Sequence, residues 1–365
     1  MKIECSKEKL QVAIAQASRV AGKNTNLPVL GCVLLSVTKQ GLSIRATNLE
    51  LGIEIRVPVK VVKEGVVAIP AEAIAQLTSN LYGSGSVSLE LKDGHLSVVA
   101  GKSTALVKAV PHEDFPTLPK PGEVSFQIKA SHFAEGLRSV WYCASTASVK
   151  PELSSVFLQA TNGTMMFVAT DSFRLGEKKI FLKGLPECDS MLIPLRNVPE
   201  IIKALDAHGG EAVVYFGKHQ LSFLLGETYL TSRLIEGSFP DYRQIIPKKS
   251  TTEAILLKQD LANAFKLANI FSDQFHQVKL ALSPARKAFT ISSRSAEVGE
   301  SENTLDATLS GEETALGFNY RYITDCFQSI HSDSVKLQFS GVGKALLISG
   351  ISDQSFLYLV MPMNR

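Results

Sequence analysis

The chain has 365 residues, 45% of them hydrophobic, and its 38 Lys+Arg against 35 Asp+Glu give a formal net charge of +3. This is too long for one ordinary core, and the near-neutral charge announces neither nucleic acid nor an anionic membrane, so any basic surface must be local. No apolar run approaches the roughly 18 residues a membrane helix needs, and the start MKIECSKEKL reads straight into a strand and a helix with no signal-peptide pattern. The five cysteines (Cys5, Cys32, Cys143, Cys188, Cys326) lack CxxC spacing and read as reduced, mostly buried thiols of a cytosolic protein.

Leu10, Ala13, Ile14 and Ala17 fall at i, i+3, i+4, i+7 and predict a first amphipathic helix. VLLSV and LSIRATNLEL then read as strands. Ile74, Leu77 and Leu81 predict a second helix, and SVSLELKDGHLSVVAGKSTALVKAV returns to strands. Asp93-Gly94 inside that stretch is a two-residue hairpin signal. A proline-rich connector, FPTLPKPG, follows.

The same order then recurs twice. Phe133, Gly136, Leu137 and Val140 form the next helical face, and SVFLQA and MMFVATDSFRL give strands hinged at Asn162-Gly163. Val198, Ile201, Ile202 and Leu205 form a helix. Strands broken at Gly217 and Gly226 lead to the connector PDYRQIIPKKS. Finally Leu261, Ala264, Phe265 and Ala268 precede VKLALS and AFTISS, and Ile323, Cys326, Phe327 and Ile330 precede SVKLQFSGVGKALLISG and a closing VMPM. Pro70 and Pro194 are 124 apart, as are Pro116 and Pro240, while Val198 and Ile323 are 125 apart.

The reading is therefore three tandem α+β repeats, 1–120, 121–245 and 246–365. Each runs strand, helix, three strands, helix, then three or four strands, with two helices packed on antiparallel sheets. Both connectors are short, so neighbouring repeats should pack together. The excess of positive charge lies in residues 1–120, which hold 14 basic and 10 acidic residues.

Catalytic signals are sparse. Gly101-Lys102-Ser103-Thr104 ends like a phosphate-binding loop, but Leu96 stands where the loop's first glycine belongs and a strand pattern follows. Ser36-Val37-Thr38-Lys39 fits a four-residue nucleophile pattern with no partners. Asp171 could serve as an acid, yet Asn48 holds the same place in the first repeat, and an Asx residue capping a turn explains both. The histidines and carboxylates show no metal-ligand spacing, so no metal and no cofactor are expected.

LPVLGCVLL, VATDSFRL, FPDYR and the terminal VMPM, in that order on a three-repeat frame, closely resemble the β sliding clamps of bacterial DNA polymerase III over the whole chain. The resemblance implies a non-catalytic processivity ring in the cytoplasm, at the nucleoid. Two chains would join head to tail into six repeats, with helices lining a hole for duplex DNA and sheets forming the outer wall. Its partners would be double-stranded DNA, a second copy, the replicative polymerase, a clamp loader and other proteins carrying a clamp-binding motif, with no membrane. Carried over residue by residue, the peptide pocket falls on Leu153, Thr170, Ser172, Phe173, Arg174, Leu175, Pro240, Gln244, Ile245, Phe275, Asn319, Tyr322, Val342, Val360, Met361, Pro362 and Met363. Arg174 is expected at the rim of an exposed groove. DNA would be faced by Lys23, Asn24, Arg138, Arg196, Lys203, Lys266 and Arg321. The dimer would be made by Leu106 and Val107 on an edge strand against Ile270 and Phe271 at a helix end.

The chain departs from the family pattern at several points. Ser172-Phe173 stands where glycine-histidine is common, and Gln244 follows PDYR where an arginine is usual. Lys150-Pro151 replaces an arginine-aromatic pair, and the tail ends MPMNR. The basic helix residues are interspersed with Glu8, Glu135, Glu200 and Asp325, which an ordinary solvated helix face would also show. Two other readings stay open at this stage: a repeat scaffold that never touches DNA, and an enzyme using the GKST segment or Asp171.

Overall fold

The computed structural model describes residues 1–22, 27–82, 85–147 and 149–363. Among these, six α-helices fall in three pairs: α1 (Lys7–Val20), α2 (Ala71–Ser79), α3 (Ala130–Val140), α4 (Val198–His208), α5 (Lys258–Ile270) and α6 (Tyr320–Asp325). The apolar stripes read from the sequence are the buried faces. Leu10, Ala13, Ile14 and Ala17 of α1 and Leu261, Ala264, Phe265 and Ala268 of α5 are all buried. In α4, Val198, Ile201, Ile202 and Leu205 are buried, and Gly209 stops the helix at φ 65, a left-handed cap that glycine adopts without a Cβ clash. Both expected hairpins have left-handed pairs at their tips, Asp93 and Gly94 (φ 47 and 73) and Asn162 and Gly163 (φ 49 and 70).

Between the paired helices lie four or five strands, not three. The additional strands include Gly65–Pro70, Cys188–Pro194 and Thr314–Asn319, each running almost directly into the second helix of its repeat. They escape sequence reading because no turn residue separates strand from helix.

The chain divides into two compact units, residues 1–134 with 196–234, and 135–195 with 235–365. In the first, an eight-stranded antiparallel sheet is shared by two repeats. Strand Leu51–Val57 of the first pairs with Thr228–Arg233 of the second, with Leu51 opposite Ser232. In the second unit a nine-stranded sheet is shared in the same way, strand Arg174–Phe181 pairing with Phe356–Val360, with Arg174 opposite Val360. Each unit also holds a smaller sheet contributed by one repeat alone. In the first it has five strands and ends at Ser103–Lys108; in the second it has four and ends at Gly299–Leu305. Among the described residues, both of those end strands pair on one side only.

Packing around α3 is tight enough to require glycine. A Cβ built on Gly136 would lie 2.3 Å from Cε2 of Phe167, whose side chain is completely buried. In the same unit the shared sheet takes in a lysine. Lys178 is 4% exposed, and its ammonium meets Glu135 at 2.9 Å, Asp353 at 3.5 Å and the Ser355 hydroxyl at 2.9 Å. Burial pushes the Asp353 carboxyl up, but the Ser355 hydroxyl and backbone N–H, with Lys178, outweigh it and hold that group below its ordinary range.

Candidate partner-binding site at the second repeat junction

The site grows from a turn. Asp171 accepts the backbone N–H groups of Phe173 and Arg174, both at 2.9 Å, while the Thr170 hydroxyl accepts from Ser172 N and donates to the Arg174 carbonyl at 2.7 Å. This drives Ser172 to φ 78, a left-handed conformation that suits glycine, the residue expected there from the resemblance. Asp171 is thus a turn-forming residue, as Asn48 is. Asn48 accepts from Glu50 N and Leu51 N at 3.0 and 2.8 Å, and Leu49 sits at φ 74.

The turn holds the chain's end. Met361 N–H donates to the Phe173 carbonyl and Met363 N–H to the Gly317 carbonyl, both at 2.8 Å. A terminal segment tied at two points is ordered by docking, and Met361, Pro362 and Met363 are half-buried. Beneath them an apolar cluster joins Leu175, Leu359, Leu347 and Tyr242, with Met361 packed against it. The Tyr242 hydroxyl donates to buried Glu177 at 2.5 Å, so the connector between repeats is pinned into this cluster. Beside the tail lies an open groove of about 380 Å³, walled by Leu316, Gly317, Val342, Pro362 and Met363, with Lys279 at its side.

Arg174 differs from the expectation of a rim residue at an exposed groove. Its side chain is 13% exposed; Nε meets Asp171 at 3.0 Å and Nη1 meets Asp325 of α6. Its guanidinium carbon lies 4.8 Å from the centroid of the Tyr322 ring, on whose surroundings Phe173 also stacks at 6.4 Å. Burial, and then the Asp171 carboxylate, push the Tyr322 hydroxyl above its ordinary value. Asp325, which the sequence offers only as one acid on a solvated helix face, is a partner that confines Arg174; its place three residues after Tyr322, on the same helical face, is the signal that links the two.

The remaining pocket residues separate into surface and core. Phe173 (60% exposed), Ile245, Phe275 and Val342 are exposed apolar side chains, and Pro240 and Gln244 are exposed beside them in sequence. Gln244 donates to Asp241 at 2.9 Å. Leu153, Thr170, Leu175 and Val360 are buried, Val360 completely, so they support the site from within rather than line its surface. Asn319 is occupied as the N-cap of α6, accepting from Arg321 N at 3.0 Å.

The other candidate groups are dispersed. Lys23 and Asn24 lie outside the described residues. Arg196 is paired with Glu50 at 3.0 Å and Lys203 with Glu200 at 2.7 Å, while Glu200 also meets Arg19 at 2.9 Å. Arg138, Lys266 and Arg321 are exposed, the last with Nε 3.4 Å from the Tyr320 hydroxyl. Leu106 is 66% exposed and Val107 half-buried on the end strand Ser103–Lys108. Ile270 is 58% exposed at the end of α5; Phe271 is half-buried, its ring 3.8 Å from where a Cβ on Gly299 would sit. Ser103 and Thr104 of the GKST segment open a strand, not a helix, so a phosphate loop is excluded there. Among the described residues no cluster of metal-ligating side chains occurs, and no helix is long and apolar enough to cross a membrane.

Comparison with known proteins covers the full chain. Residues 1–119 match the N-terminal domain of the DNA polymerase III beta subunit, 127–241 its central domain and 243–364 its C-terminal domain. The beta sliding clamp of Proteus mirabilis is 29% identical over 368 residues and that of Escherichia coli K12 28% identical over 370, each aligned across 100% of both chains. The crystal structure of the DNA polymerase III subunit beta from Pseudomonas aeruginosa superposes with a TM-score of 0.95 at 27% identity, covering 100% of both chains. A Pseudomonas aeruginosa sliding clamp bound to griselimycin gives a TM-score of 0.94 at 26% identity, again covering 100% of both chains. With all three of its repeats matched and its fold shared from end to end, the chain belongs to the DNA polymerase III beta subunit family, the sliding clamps of DNA replication.

Proposed function

We propose that two copies of this chain close head to tail into a cytoplasmic ring of six repeats, divided at about residues 120 and 245 of each chain, that encircles duplex DNA at the nucleoid. As a sliding clamp the chain is a processivity factor for replication and not a catalyst. The observation that carries the closed dimer is the repetition of one strand pairing. Leu51–Val57 pairs with Thr228–Arg233, and Arg174–Phe181 pairs with Phe356–Val360. The third strand of that first set is Gly299–Leu305, and the remaining member of the second set is Ser103–Lys108. Among the described residues these two have no such partner within the chain. Pairing them between chains repeats the internal joint, and heterologous contacts that close give a ring. Their charges suit each other: Lys108 on one, Glu300 and Glu302 on the other, all exposed.

The helices' polar faces carry both signs of charge, with several lysines and arginines already bound to carboxylates. Such a surface supports weak, sequence-blind phosphate contact, the kind that permits sliding. Lys23, Asn24, Arg138, Arg196, Lys203, Lys266 and Arg321 are the proposed DNA-facing residues. The second junction, with Phe173, Ile245, Val342 and the tail Met361–Met363, is the proposed docking place for short apolar peptides of the polymerase, the clamp loader and other partners. Methionines adapt to different anchors, and each buried leucine-sized anchor contributes about 1.5–3 kcal/mol.

Trapping on DNA tests this reading. The protein loaded by its clamp loader should remain on closed circular DNA and leave when the circle is cut. Retention that is equal on linear and circular DNA, or strong preference for one DNA sequence, contradicts it.

A further inference from the structure

The first repeat junction repeats the second in detail. The Thr47 hydroxyl accepts from Leu49 N at 3.0 Å and donates to the Leu51 carbonyl at 2.9 Å, as the Thr170 hydroxyl serves Ser172 N and the Arg174 carbonyl. Arg233 N–H donates to the Glu50 carbonyl at 2.8 Å, as Met361 N–H donates to that of Phe173. Arg233 therefore holds the position of Met361. Leu118 of the first connector holds that of Tyr242, and fills the space above Gly52, where a Cβ would lie 2.5 Å from its Cδ2. Around this turn opens a pocket of about 340 Å³ whose walls are Leu49, Pro116, Leu118, His219 and Arg233.

The two junctions differ in chemistry at the position of Met361. Where the second junction presents a methionine, the first presents an exposed arginine. Among the described lining residues the one carboxylate, Glu50, is already bound to Arg196 at 3.0 Å. The mouth is thus cationic beside an apolar wall. We infer that the first junction is a second peptide-binding site, which takes an extended segment of a partner protein bearing a carboxylate next to a leucine-sized side chain. Arg233 receives the carboxylate, and Leu49 and Leu118 receive the apolar anchor. The inference takes the peptide class of ligand from the second-junction reading, but its geometry stands on its own residues. Two unlike sites on one chain would let the clamp hold two partners that do not compete.

The probe is a fluorescein-labelled peptide, Gly-Asp-Leu-Leu-Gly, titrated by anisotropy into the full chain and into a chain lacking Met361 to Arg365. The shortened chain should still bind one peptide. Arg233→Glu in that background should weaken binding at least tenfold, and Gly-Asn-Leu-Leu-Gly should bind the Arg233 form several-fold more weakly than the acidic peptide. No binding to the shortened chain, or binding indifferent to Arg233→Glu, overturns the inference. Loss of all binding on shortening, with Arg233→Glu silent in the full chain, would leave the second-junction reading intact. Binding unchanged by shortening but lost with Arg233→Glu would sustain this inference and defeat that reading. Should the shortened chain not fold, methyl spectra of the intact chain decide: Leu49 and Leu118 signals must shift with the acidic peptide in the Arg233 protein and stay still in the Arg233→Glu protein.

Discussion

The Arg174 guanidinium rests 4.8 Å from the centre of the Tyr322 ring, so a turn in the second repeat is fastened to a helix in the third. The same cation meets Asp171 and Asp325, and its fork geometry lets it serve both while its carbon stays over the ring. Arg174→Ala would leave two carboxylates facing each other without their cation. It should lower stability by about 1.5–3 kcal/mol, the range for hydrogen bonds to charged groups, as read from urea unfolding. Arg174→Lys should recover only part of that loss, since an ammonium cannot bridge both acids and stack. A double-mutant cycle with Asp325→Asn should show coupling; additive losses would mean the pair contributes nothing jointly.

Gly136 sets two effects against each other. Alanine there gains about 1 kcal/mol of helix propensity, but its Cβ meets the buried Phe167 ring at 2.3 Å. Overpacking of this sort costs about 1–3 kcal/mol and should win. Gly136→Ala is therefore expected to lower the thermal midpoint, and a raised midpoint would show that the ring moves aside freely.

The end strand Ser103–Lys108 offers the cleanest probe of assembly. Leu106 is 66% exposed, so changing it should leave the chain's own unfolding within about 0.5 kcal/mol of the original. Leu106→Glu should nevertheless halve the mass seen by light scattering, because in the proposed ring it places a carboxylate opposite the acidic strand Gly299–Leu305. An unchanged mass places the dimer contact elsewhere. Phe271 is a poorer probe, because its ring also packs toward Gly299 within its own chain.

Alkaline pH should destabilise the fold. Burial is the chief cause pushing the Cys5 and Cys188 thiols to about 11 from an ordinary 9.0. Below 9.0 both the folded and unfolded chains keep these protons, and the full stability is present. Above it the unfolded chain loses them first, so stability falls progressively between about pH 9 and 11. The buried Tyr142 and Cys143, both raised mainly by burial, act in the same direction. Urea midpoints measured across that range should drop, and the drop should be smaller in a Cys5→Ala, Cys188→Ala protein. A flat profile would contradict the assignment of these thiols as protonated.

The helices and hairpins were legible because their periods are local. Four apolar residues at helical spacing, or Asn-Gly between apolar runs, carry their own instructions. The repeat could be counted for the same reason. What could not be read was which strands pair across repeats, since Leu51 and Ser232 are distant in sequence and nothing local names the partner. At the site, the Asx turns at Asn48 and Asp171 were readable from residue type. The confinement of Arg174 was not, because it depends on Asp325 arriving from another repeat. Lys178 was invisible altogether. A lysine in a strand reads as a solvated face, and here three partners gathered by the fold keep it buried.

The sharing of each large sheet between two repeats has a consequence for fragments and for ancestry. Residues 121–245, cut out alone, would carry bare backbone on both flanks: strand Arg174–Phe181 on one and strand Thr228–Arg233 on the other. Such a piece would not stay solitary; it would stack on copies of itself through the joint that already occurs twice in the chain. A primordial gene encoding one repeat could therefore have assembled from separate polypeptides through that joint, and tandem fusion then turned the two internal joints into covalent continuity.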